Sequence, residues 1–559
     1  MNRNTELHFA KQPGVNIKRS TFDLSHTHKT TFNTGELVPI YVEEILPGDT
    51  FKINTNYVIR MSTPIKPVMD NAYMDIYFFF VPNRLVWDHW KEFMGENTEG
   101  AWDDDETEYN VPKAISQIMS SYKKGSIADH MGIPTNTNLE VNVLPFRAYT
   151  LIWNEWFRDQ NLQAPLYIQK DIDSNQSLSS AGDFNPALGV GICKVNKFHD
   201  YLTSCLPEPQ KGDPVTINIG GEAPVLTSEI DNYNGESPTI GMKYAISNNP
   251  EINAKHIGLG LYNQAEGVKR VYDLKANGID NGTASPSPEI IAPSNLIADL
   301  SNATAVTINQ LRQAVQTQKF LERDARCGTR YIEIIKGHFG VTSPDARQQR
   351  PEYLGGKRVP INMAQVLQTS ASQEDSPQGN TAAFSLTGGS NAGFTKSFTE
   401  HGFIIGLACV RTQHSYQQGL NRMWSRARRF DYYWPEFSHL GEQAVLNKEI
   451  YTIIDPNVDP EDVFGYQERY AEYKYKPNII TGEFRSQYTQ SLDIWHYGDN
   501  YESQPYLSEE WIQETTANVD RTLTVQSTNS DQFLADFYFQ IKATRPMPLF
   551  GIPGLMDHF

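Results

Sequence analysis

The sequence predicts a mainly β protein, in which two antiparallel sheets form a jelly roll of eight strands carrying long loop and helical insertions. Residues 51–61 alternate between apolar and polar side chains, and residues 533–542 repeat this alternation near the other end of the chain. Residues 73–81 are apolar on both faces, which is typical of a strand inside a sandwich. Greek-key connections bring such distant strands side by side.

Composition limits the classes of function. The chain has 559 residues, of which 39% are hydrophobic and 11% aromatic, so it can bury a large core. Its formal net charge is −18, which argues against a general binder of nucleic acid or anionic membranes. The apolar run 76–81 is far shorter than the roughly 20 residues that span a bilayer. We therefore expect a soluble protein made in a cytoplasm, without membrane insertion.

The four cysteines, at positions 193, 205, 327 and 409, are widely spaced and contain no CxxC pair. This spacing predicts reduced, buried thiols.

The chain begins with a polar leader, residues 1–35, that shows neither helical nor strand periodicity. It contains five Lys or Arg against two acids, including Lys18 and Arg19. We predict a basic arm here, with the β core beginning at Glu36 and covering residues 36–206 and 304–559.

Two aromatic helices are predicted within the first part of this core. One is capped by Asn83 and ends at Gly95, and the other follows Pro145. Between them lies an acidic cluster, residues 103–108. Calcium binding by its carboxylates is one interpretation, but the cluster lacks EF-hand spacing, which favours a solvated acidic loop.

Residues 207–303 differ sharply in composition from the rest of the chain. They contain ten Gly and nine Pro, and their only aromatic residues are Tyr233, Tyr244, Tyr262 and Tyr272. A segment so long and so poor in aromatics predicts a surface insertion subdomain. A surface insertion without any partner stays open as the alternative.

The next stretch predicts a helix, a strand and a loop. Thr307 and Gln310 form a capping-box pattern, and Gly328 stands where a left-handed cap would end the helix. Residues 330–335 alternate as a short strand would, and a polar loop is expected from there to Gly356. Residues 368–398 predict a second long loop. A buried strand follows at 403–410, with a bulge expected at Gly406.

Residues 401–430 contain no acid and accumulate arginines around aromatic side chains. Arginine beside an aromatic ring can hold phosphate and stack on unpaired bases, although subunit interfaces are enriched in the same residue types. The candidates for contact with DNA are therefore Lys18, Arg19, Arg422, Trp424, Arg426, Arg428 and Arg429. The tyrosine-rich segment 466–475 is expected to pack at a subunit boundary.

Several long strings resemble one family. LERDARCGTRYIEIIKGHFGV, PGVNIKRSTFDLSHTHKTTF, YFFFVPNRLVWDHWKEFMG, EHGFIIGLACVRTQHSYQQGLNRMWSR and RPMPLFGIPGL are similar to the major capsid proteins of the small tailless single-stranded DNA phages, the Microviridae. More narrowly, they resemble those of the gokushovirus branch.

This resemblance implies a viral jelly roll that assembles in the host cytoplasm into a T=1 icosahedral virion shell. It implies contacts of the protein with itself, through pentamers and three-fold axes, around a circular single-stranded DNA genome. A small basic DNA-packaging protein would neutralise most of the phosphate. The insertion 207–303 would form a protrusion at the three-fold axes that meets a host surface receptor, with the four tyrosines as candidates. The resemblance also implies that the strand near 36–46 lies beside the one near 533–541, and that there is no catalytic residue, metal or cofactor.

The alternative is a jelly-roll protein that binds or cleaves carbohydrate. A glycosidase needs two carboxylates that flank a cleft. Glu333 and Asp431 are candidates, but no pair stands out in the sequence. His26 and His28 form a weak metal-binding pattern, for which a pair of surface or interface histidines is the favoured interpretation.

Overall fold

The computed structural model describes residues 17–96, 109–115, 122–135, 139–177, 184–216, 307–328, 330–341, 349–370, 378–452 and 459–550, together with the backbone of short strands between 217 and 306. The chain divides into two compact units, residues 1–211 with 322–559, and residues 212–321. In the described part of the chain, no helix combines the length and the hydropathy that a membrane span requires.

The elements of the described residues are numbered in chain order. The strands are β1 (Ser20–Asp23), β2 (His26–Phe32), β3 (Val38–Ile45), β4 (Thr50–Met61), β5 (Ala72–Pro82), β6 (Lys113–Ile115), β7 (Glu140–Asn142), β8 (Gln176–Ser177), β9 (Val225–Thr227), β10 (Gly241–Tyr244), β11 (His256–Tyr262), β12 (Asp273–Ala276), β13 (Ile291–Pro293), β14 (Leu296–Ala298), β15 (Glu352–Pro360), β16 (Met363–Leu367), β17 (Thr381–Ser385), β18 (Thr387–Ser397), β19 (Gly402–Thr412), β20 (Glu442–Leu446), β21 (Val463–Glu468) and β22 (Phe533–Arg545). The helices are α1 (Trp90–Phe93), α2 (Ile127–His130), α3 (Leu144–Ile152), α4 (Ile308–Cys327), α5 (Tyr331–Phe339), α6 (Ala471–Lys474), α7 (Glu509–Ile512) and α8 (Ala517–Asp520).

The first sheet is antiparallel and has the order β18–β4–β22, with β1 and β2 both paired to the outer edge of β22. β4 and β22 pair over twelve positions, from Phe533 opposite Met61 to Thr544 opposite Thr50. Alternate side chains of both strands are buried, because one face of a half-covered sheet packs on the core. The predicted strands 51–61 and 533–541 are confirmed.

The second sheet has the order β15–β5–β19–β3 and is also antiparallel. Its two central strands pair along their whole length and are buried on both faces. On β5, Phe78 and Phe80 belong to the core shared with the first sheet, whereas Phe79 and Val81 belong to a second core. The predicted buried strands are confirmed, and the pairing of β19 with β3 shifts register between Gly406 and Leu407, at the expected bulge.

The second core lies between sheet two and α3, so the first unit has three layers. Pro145 occupies the first turn of α3, where its missing N–H costs no hydrogen bond. The buried Tyr149 hydroxyl donates to the carbonyl of Leu37 (2.7 Å), and the Trp153 indole donates to that of Lys194 (2.8 Å). The predicted helix after Pro145 is therefore confirmed, and a π-helical turn, Trp153–Phe157, extends it.

The helix predicted from Asn83 to Gly95 is largely wrong. Only a 3₁₀ turn at Asn83–Leu85 and the four-residue α1 form there. Asn83 is buried, and its side-chain oxygen accepts no hydrogen bond from a described residue. Of the four side chains whose spacing predicted this helix, Val86 is buried in the second core and Trp90 packs against it, whereas Phe93 and Met94 are exposed.

α4 confirms the predicted capping box and glycine cap. The Thr307 backbone N–H donates to Gln310 Oε1 (2.9 Å), and the Gln310 N–H donates to Thr307 Oγ1 (3.2 Å). Gly328 follows the helix with φ = +89°, a left-handed conformation that glycine adopts without strain.

The strand predicted at residues 330–335 is wrong, because these residues enter α5. The Glu333 carboxylate accepts the backbone N–H of Arg330 (3.3 Å), which caps the helix, and Gly340 ends it with φ = +71°. A run of six residues fits both periods, so alternation alone could not decide. The predicted loop is also shorter than expected, because β15 begins at Glu352.

Two further segments form strands where none was predicted. In 368–398, the glycines allow β18 to lie close against β4, since a Cβ on Gly393 would clash with the carbonyl oxygen of Ile53. In the leader 1–35, β1 and β2 join sheet one through backbone hydrogen bonds and need no apolar periodicity. Residues 1–16 lie outside the described part of the chain.

The predicted neighbour of the last strand is also wrong. β22 pairs with β4 and with β1 and β2, whereas β3 lies at the edge of the second sheet beside β19. Residues 46–49 form the turn between β3 and β4, and the chain changes sheets there. Both strands have apolar inward positions, so the pattern could not choose between them. The mainly β class is confirmed and is consistent with a jelly roll, while the count of eight strands stays a prediction.

The second unit contains β9 to β14. β12, β11, β10 and β13 form one antiparallel sheet in that order, and β9 pairs with β14. The predicted domain limits 207–303 stay a prediction.

All four cysteines are free; Cys193, Cys205 and Cys409 are buried, and Cys327 is partly exposed.

We expect neighbouring positions of β22 to differ strongly in their contribution to stability. Phe537 is fully buried, and Phe537→Ala should lower the free energy of unfolding by about 3–5 kcal/mol through lost burial and a residual cavity. The matched control, Tyr538→Ala, changes a side chain that is 42% exposed on the other face, and should shift it by about 0.5 kcal/mol or less. Urea unfolding of both variants measures the difference; equal losses would contradict the assigned faces.

Candidate nucleic-acid and subunit interface

The predicted basic island leaves the second sheet at the end of β19 and continues as residues 413–441, here called the basic–aromatic segment. Its first residues pack on a third apolar core, which includes Tyr416, Val445, Phe464 and Trp511. The Tyr416 hydroxyl donates to Asp200 Oδ2 (2.7 Å). The segment is therefore fixed at its root.

A buried ionic cluster around His414 strengthens this root. The imidazole lies 2.9 Å from Asp499 Oδ1 through Nδ1 and 2.9 Å from Glu514 Oε2 through Nε2. Lys197 Nζ lies 3.5 Å from Asp499, and the Tyr501 hydroxyl donates to the same carboxylate (2.8 Å). With His414 protonated, two cations balance two anions, which is how a buried charge avoids a large desolvation penalty.

The protonation state of His414 follows from these partners. Burial alone would lower the pKa of His414, but the carboxylates of Asp499 and Glu514 raise it to about 10. Burial would raise the pKa of Asp499, and the charges of His414 and Lys197 reverse this effect and hold it well below its ordinary value. His414 and Asp499 are therefore both ionised at neutral pH.

Two of the predicted arginines are matched by acids that lie later in the chain. Arg426 pairs with Glu472 at 3.0 Å, and only 8% and 5% of the two side chains are exposed. Arg422 lies 3.7 Å from Glu449, which also accepts a hydrogen bond from Tyr201 (2.8 Å). Sequence reasoning missed these two acids, because only the fold brings them to the arginines.

Arg428 and Arg429 differ from these two. Both are exposed, and neither forms an ion pair with another described residue. The Asp431 carboxylate accepts the backbone N–H of Arg428 (2.7 Å), a hydrogen bond that lowers the pKa of Asp431 and fixes the turn. The Arg429 guanidinium lies 4.7 Å from the centroid of the Trp434 ring. Trp424 is 71% exposed.

Exposed apolar side chains are dense along the same segment. They are Leu420, Met423, Trp424, Phe430, Tyr432, Tyr433 and Leu440. Such a concentration exceeds the isolated surface apolar residues of a typical monomer and marks an interaction surface. Arginine together with aromatic residues is typical both of contacts between subunits and of sites that bind unpaired bases. The partner is therefore either a second copy of the chain or single-stranded nucleic acid.

The other predicted candidates lie elsewhere in the chain. Lys18 and Arg19 are exposed and directly precede β1, at the edge of the first sheet. In the tyrosine-rich segment, Tyr470 is buried, and its ring lies 5.0 Å from that of Tyr433 and 6.1 Å from that of Tyr473. It thus packs under the basic–aromatic segment.

The receptor candidates and the acidic cluster cannot be placed in the same detail. Tyr233, Tyr272 and the cluster 103–108 lie outside the described residues. Tyr244 ends β10 and Tyr262 ends β11, and the description of these two residues covers the backbone only.

The side chains considered for carbohydrate cleavage or metal binding all have structural partners. Glu333 caps α5, and its carboxylate pairs with Arg330 (3.1 Å). Asp431 holds the turn at Arg428. His26 and His28 each use Nδ1 on a backbone carbonyl, that of Leu24 (2.8 Å) and that of Ile40 (2.7 Å).

Comparison with known proteins gives a consistent result over the whole chain. The family model described as capsid protein (F protein) matches residues 10–555. Capsid protein VP1 of Bdellovibrio phage phiMH2K is 43% identical over 563 residues, which cover 100% of this chain and 99% of the relative. Capsid protein VP1 of Chlamydia phage 1 is 41% identical, with 98% and 97% covered, and that of Spiroplasma virus 4 is 41% identical, with 99% and 98% covered.

The His414 cluster predicts a specific dependence of stability on pH. The pKa of His414 is raised from 6.5 to about 10 in the folded protein. Its stabilising contribution is therefore complete below pH 6.5 and is lost as the pH rises towards 10. The contribution of Asp499, whose pKa is lowered, would be lost only on acidification. We expect the difference in melting temperature between the wild type and His414→Gln to shrink over this alkaline range.

Differential scanning calorimetry at several pH values measures this difference. His439→Gln, at an exposed histidine of the basic–aromatic segment, is the matched control and should follow the wild type throughout. A difference between wild type and His414→Gln that is independent of pH would contradict an ionised cluster.

Proposed function

The chain belongs to the capsid protein (F protein) family and is a major capsid protein, and we propose that its copies close into a T=1 icosahedral shell around a circular single-stranded DNA genome. The observation that carries this proposal is the similarity to VP1 capsid proteins from end to end of the chain. The resemblance to Microviridae capsid proteins of the gokushovirus branch is confirmed. The protein is a structural component of the virion and not an enzyme.

The contacts that close the shell are part of the proposal. Capsid proteins self-assemble, and closed symmetry makes identical surfaces meet repeatedly around the five-fold and three-fold axes. The basic–aromatic segment exposes many apolar side chains, and association would remove their surface from water. This favours a location of the segment in a contact between subunits.

For the genome, we propose local contacts in place of a uniformly basic lining. With a net charge of −18, the chain cannot neutralise the phosphates by itself, so a small basic packaging protein is expected to supply most of the cations. Lys18, Arg19, Arg428 and Arg429 remain available for phosphate, and Trp424 for stacking. Arg422 and Arg426 contribute less, because Glu449 and Glu472 already match their charges. Repetition around the shell makes such weak contacts additive.

The shell can be tested by weighing and imaging the particles from lysed host cells. We expect isometric particles of about 60 copies of the 63.4 kDa chain, with circular single-stranded DNA protected from nuclease. The carbohydrate alternative predicts soluble monomers that bind or cleave glycans. Monomers of that kind, or closed particles with a different copy number, would overturn the T=1 proposal.

We further propose that the insertion 207–303 meets a host surface receptor. The division of the chain into two compact units favours this role, since most of the insertion falls in the smaller unit. Replacing residues 207–303 with a short Gly–Ser linker should leave particle assembly and melting temperature nearly unchanged and abolish adsorption to host cells.

A full-length variant shows whether adsorption depends on the four tyrosine side chains or only on the presence of the insertion. Particles carrying alanine at Tyr233, Tyr244, Tyr262 and Tyr272 should assemble normally and adsorb poorly. Adsorption at the wild-type level by the deletion particles would reject the receptor role of the insertion.

A further inference from the structure

We propose that a cavity on the outer face of the second sheet binds one unpaired nucleotide of single-stranded DNA, with its phosphate on arginine side chains and its base among aromatic rings. The cavity, here called the arginine–aromatic cavity, has a volume of about 610 Å³ and is lined chiefly by Phe79, Arg158, Phe198, Tyr353, Arg358 and Arg411. The proposal rests on the proposed enclosure of a single-stranded genome and names a site for it outside the basic–aromatic segment.

The floor of the cavity carries more positive than negative charge. Asp75, which is buried, receives Arg358 through two hydrogen bonds, of 2.7 Å from Nε and 3.1 Å from Nη2. The same carboxylate pairs with Arg411 Nη2. Two guanidinium groups therefore share one carboxylate, which leaves an excess of one positive charge.

Phe198 holds these two arginines beside each other. The Arg358 guanidinium carbon lies 4.5 Å from the centroid of the Phe198 ring, and that of Arg411 lies 4.2 Å from it. Stacking keeps each guanidinium plane fixed. Since Asp75 occupies the Nε and Nη2 donors of Arg358, its Nη1 donors are the ones left for a phosphate. The Arg358 side chain is half exposed, so a ligand can reach it.

Arg158 is a further arginine at the wall of the cavity, where the acidic Asp159 also forms part of the lining. Its Nη1 donates to the carbonyl of Gln163 (2.7 Å), and it forms no ion pair with a described residue. Burial and the nearby positive charge of Arg330 lower the pKa of Arg158, and the carboxylates of Glu155 and Asp159 partly offset them. A phosphate would relieve both effects. Lys197, in contrast, is already matched by Asp499.

Aromatic rings line the cavity beside the arginines, and the Tyr77 hydroxyl accepts a hydrogen bond from Arg411 Nη2 (3.0 Å). The ring of Tyr353 lies 5.5 Å from that of Phe79 and 6.4 Å from that of Tyr77, and Phe157 lies 5.3 Å from Tyr77. The Tyr353 side chain is 44% exposed at the cavity, so part of its ring can receive a base. The volume falls within the roughly 300–1,000 Å³ of small-molecule sites.

Single-stranded nucleic acid matches this combination better than other partners do. A phosphodiester supplies the anion and an unpaired base supplies the flat ring, the pair of features that single-strand sites recognise. In duplex DNA the base is stacked inside and cannot enter. The basic packaging protein would meet like charge at the cavity. An acidic segment of a second copy would satisfy the arginines, and the experiment below distinguishes it from DNA.

The test uses the full-length purified protein and an oligonucleotide of eight thymidines. Fluorescence anisotropy over a salt series should show binding that weakens by about tenfold or more in Tyr353→Leu, through lost stacking, and in Arg358→Gln. Each lost phosphate contact should also reduce the slope of log affinity against log salt by about 0.7. Arg60→Gln removes an exposed arginine from β4 and is the matched control, expected to bind as the wild type does.

Ultraviolet cross-linking in intact particles locates the contact independently of the variants. We expect DNA adducts on Tyr353 or Phe198, and melting temperatures verify that each variant is folded. If Arg358→Gln does not fold, Arg158→Gln replaces it, since Arg158 does not pair with Asp75.

Three outcomes would overturn the proposed nucleotide site. The first is that the variants bind the oligonucleotide as tightly as the wild type does, with adducts confined to other segments. The second is that inorganic polyphosphate competes as well as the oligonucleotide does, which would indicate an anion site without base recognition. The third is that a peptide of a second copy is cross-linked inside the cavity, which would make it a subunit contact. In all three cases, intact particles with protected DNA would leave the proposed shell standing, whereas the absence of such particles would reject the shell itself.

Discussion

The burial of β5 and β19 on both faces is the constraint on which the rest of the structure depends. One face of each strand packs against the first sheet, and the other packs beneath α3. Each large aromatic side chain that these faces bury contributes about 1.5–3 kcal/mol. Since the two strands lie far apart in the chain, the long segments that connect the strands of the two sheets have to leave this two-sheet frame and return to it. These excursions are thus a consequence of the topology. They cost little free energy, because the entropy cost of closing a loop grows only slowly with its length.

Two kinds of charged group surround this frame. Some are buried and have no net charge, and others are exposed and carry an excess of positive charge. The His414 cluster and the Arg426–Glu472 pair are internally neutral, and they fix the root and the middle of the basic–aromatic segment. Asp75 is different, because two arginines share it at the edge of a cavity. In an acidic protein, a few such local excesses are the places where a polyanion can be held, and symmetry would repeat each of them around a closed shell.

Much of the frame could be predicted from the sequence, because a half-buried strand leaves an alternating pattern and a strand buried on both faces leaves an apolar run. α4 was predictable through Thr307, Gln310 and Gly328, whose roles are local. α5 was not, since residues 330–335 fit either period. The glycine-rich β18 appears as a loop in the sequence, because its glycines serve close approach to β4 and not flexibility. The pairing of β22 with β4 depends on three-dimensional topology, which no local pattern encodes.

The candidate site was less predictable for the same reason. A row of arginines is visible in the sequence, but whether each charge is free depends on partners such as Glu449 and Glu472. The arginine–aromatic cavity gathers residues from β5, β15, β19 and the turn after α3, and no single stretch contains its pattern. The family, in contrast, was recognisable from the sequence, because long segments of the chain are similar in sequence to the family's capsid proteins.

The central claim is that the two-sheet frame supports itself and that its exposed excursions form interfaces only between copies. Hydrogen–deuterium exchange of the unassembled protein and of intact particles tests this claim most directly. We predict that β4, β5, β19 and β22 are strongly protected in both states, and that residues 420–441 gain protection only in the particle. Equal protection of residues 420–441 in both states, or rapid exchange of the four strands before assembly, would contradict it.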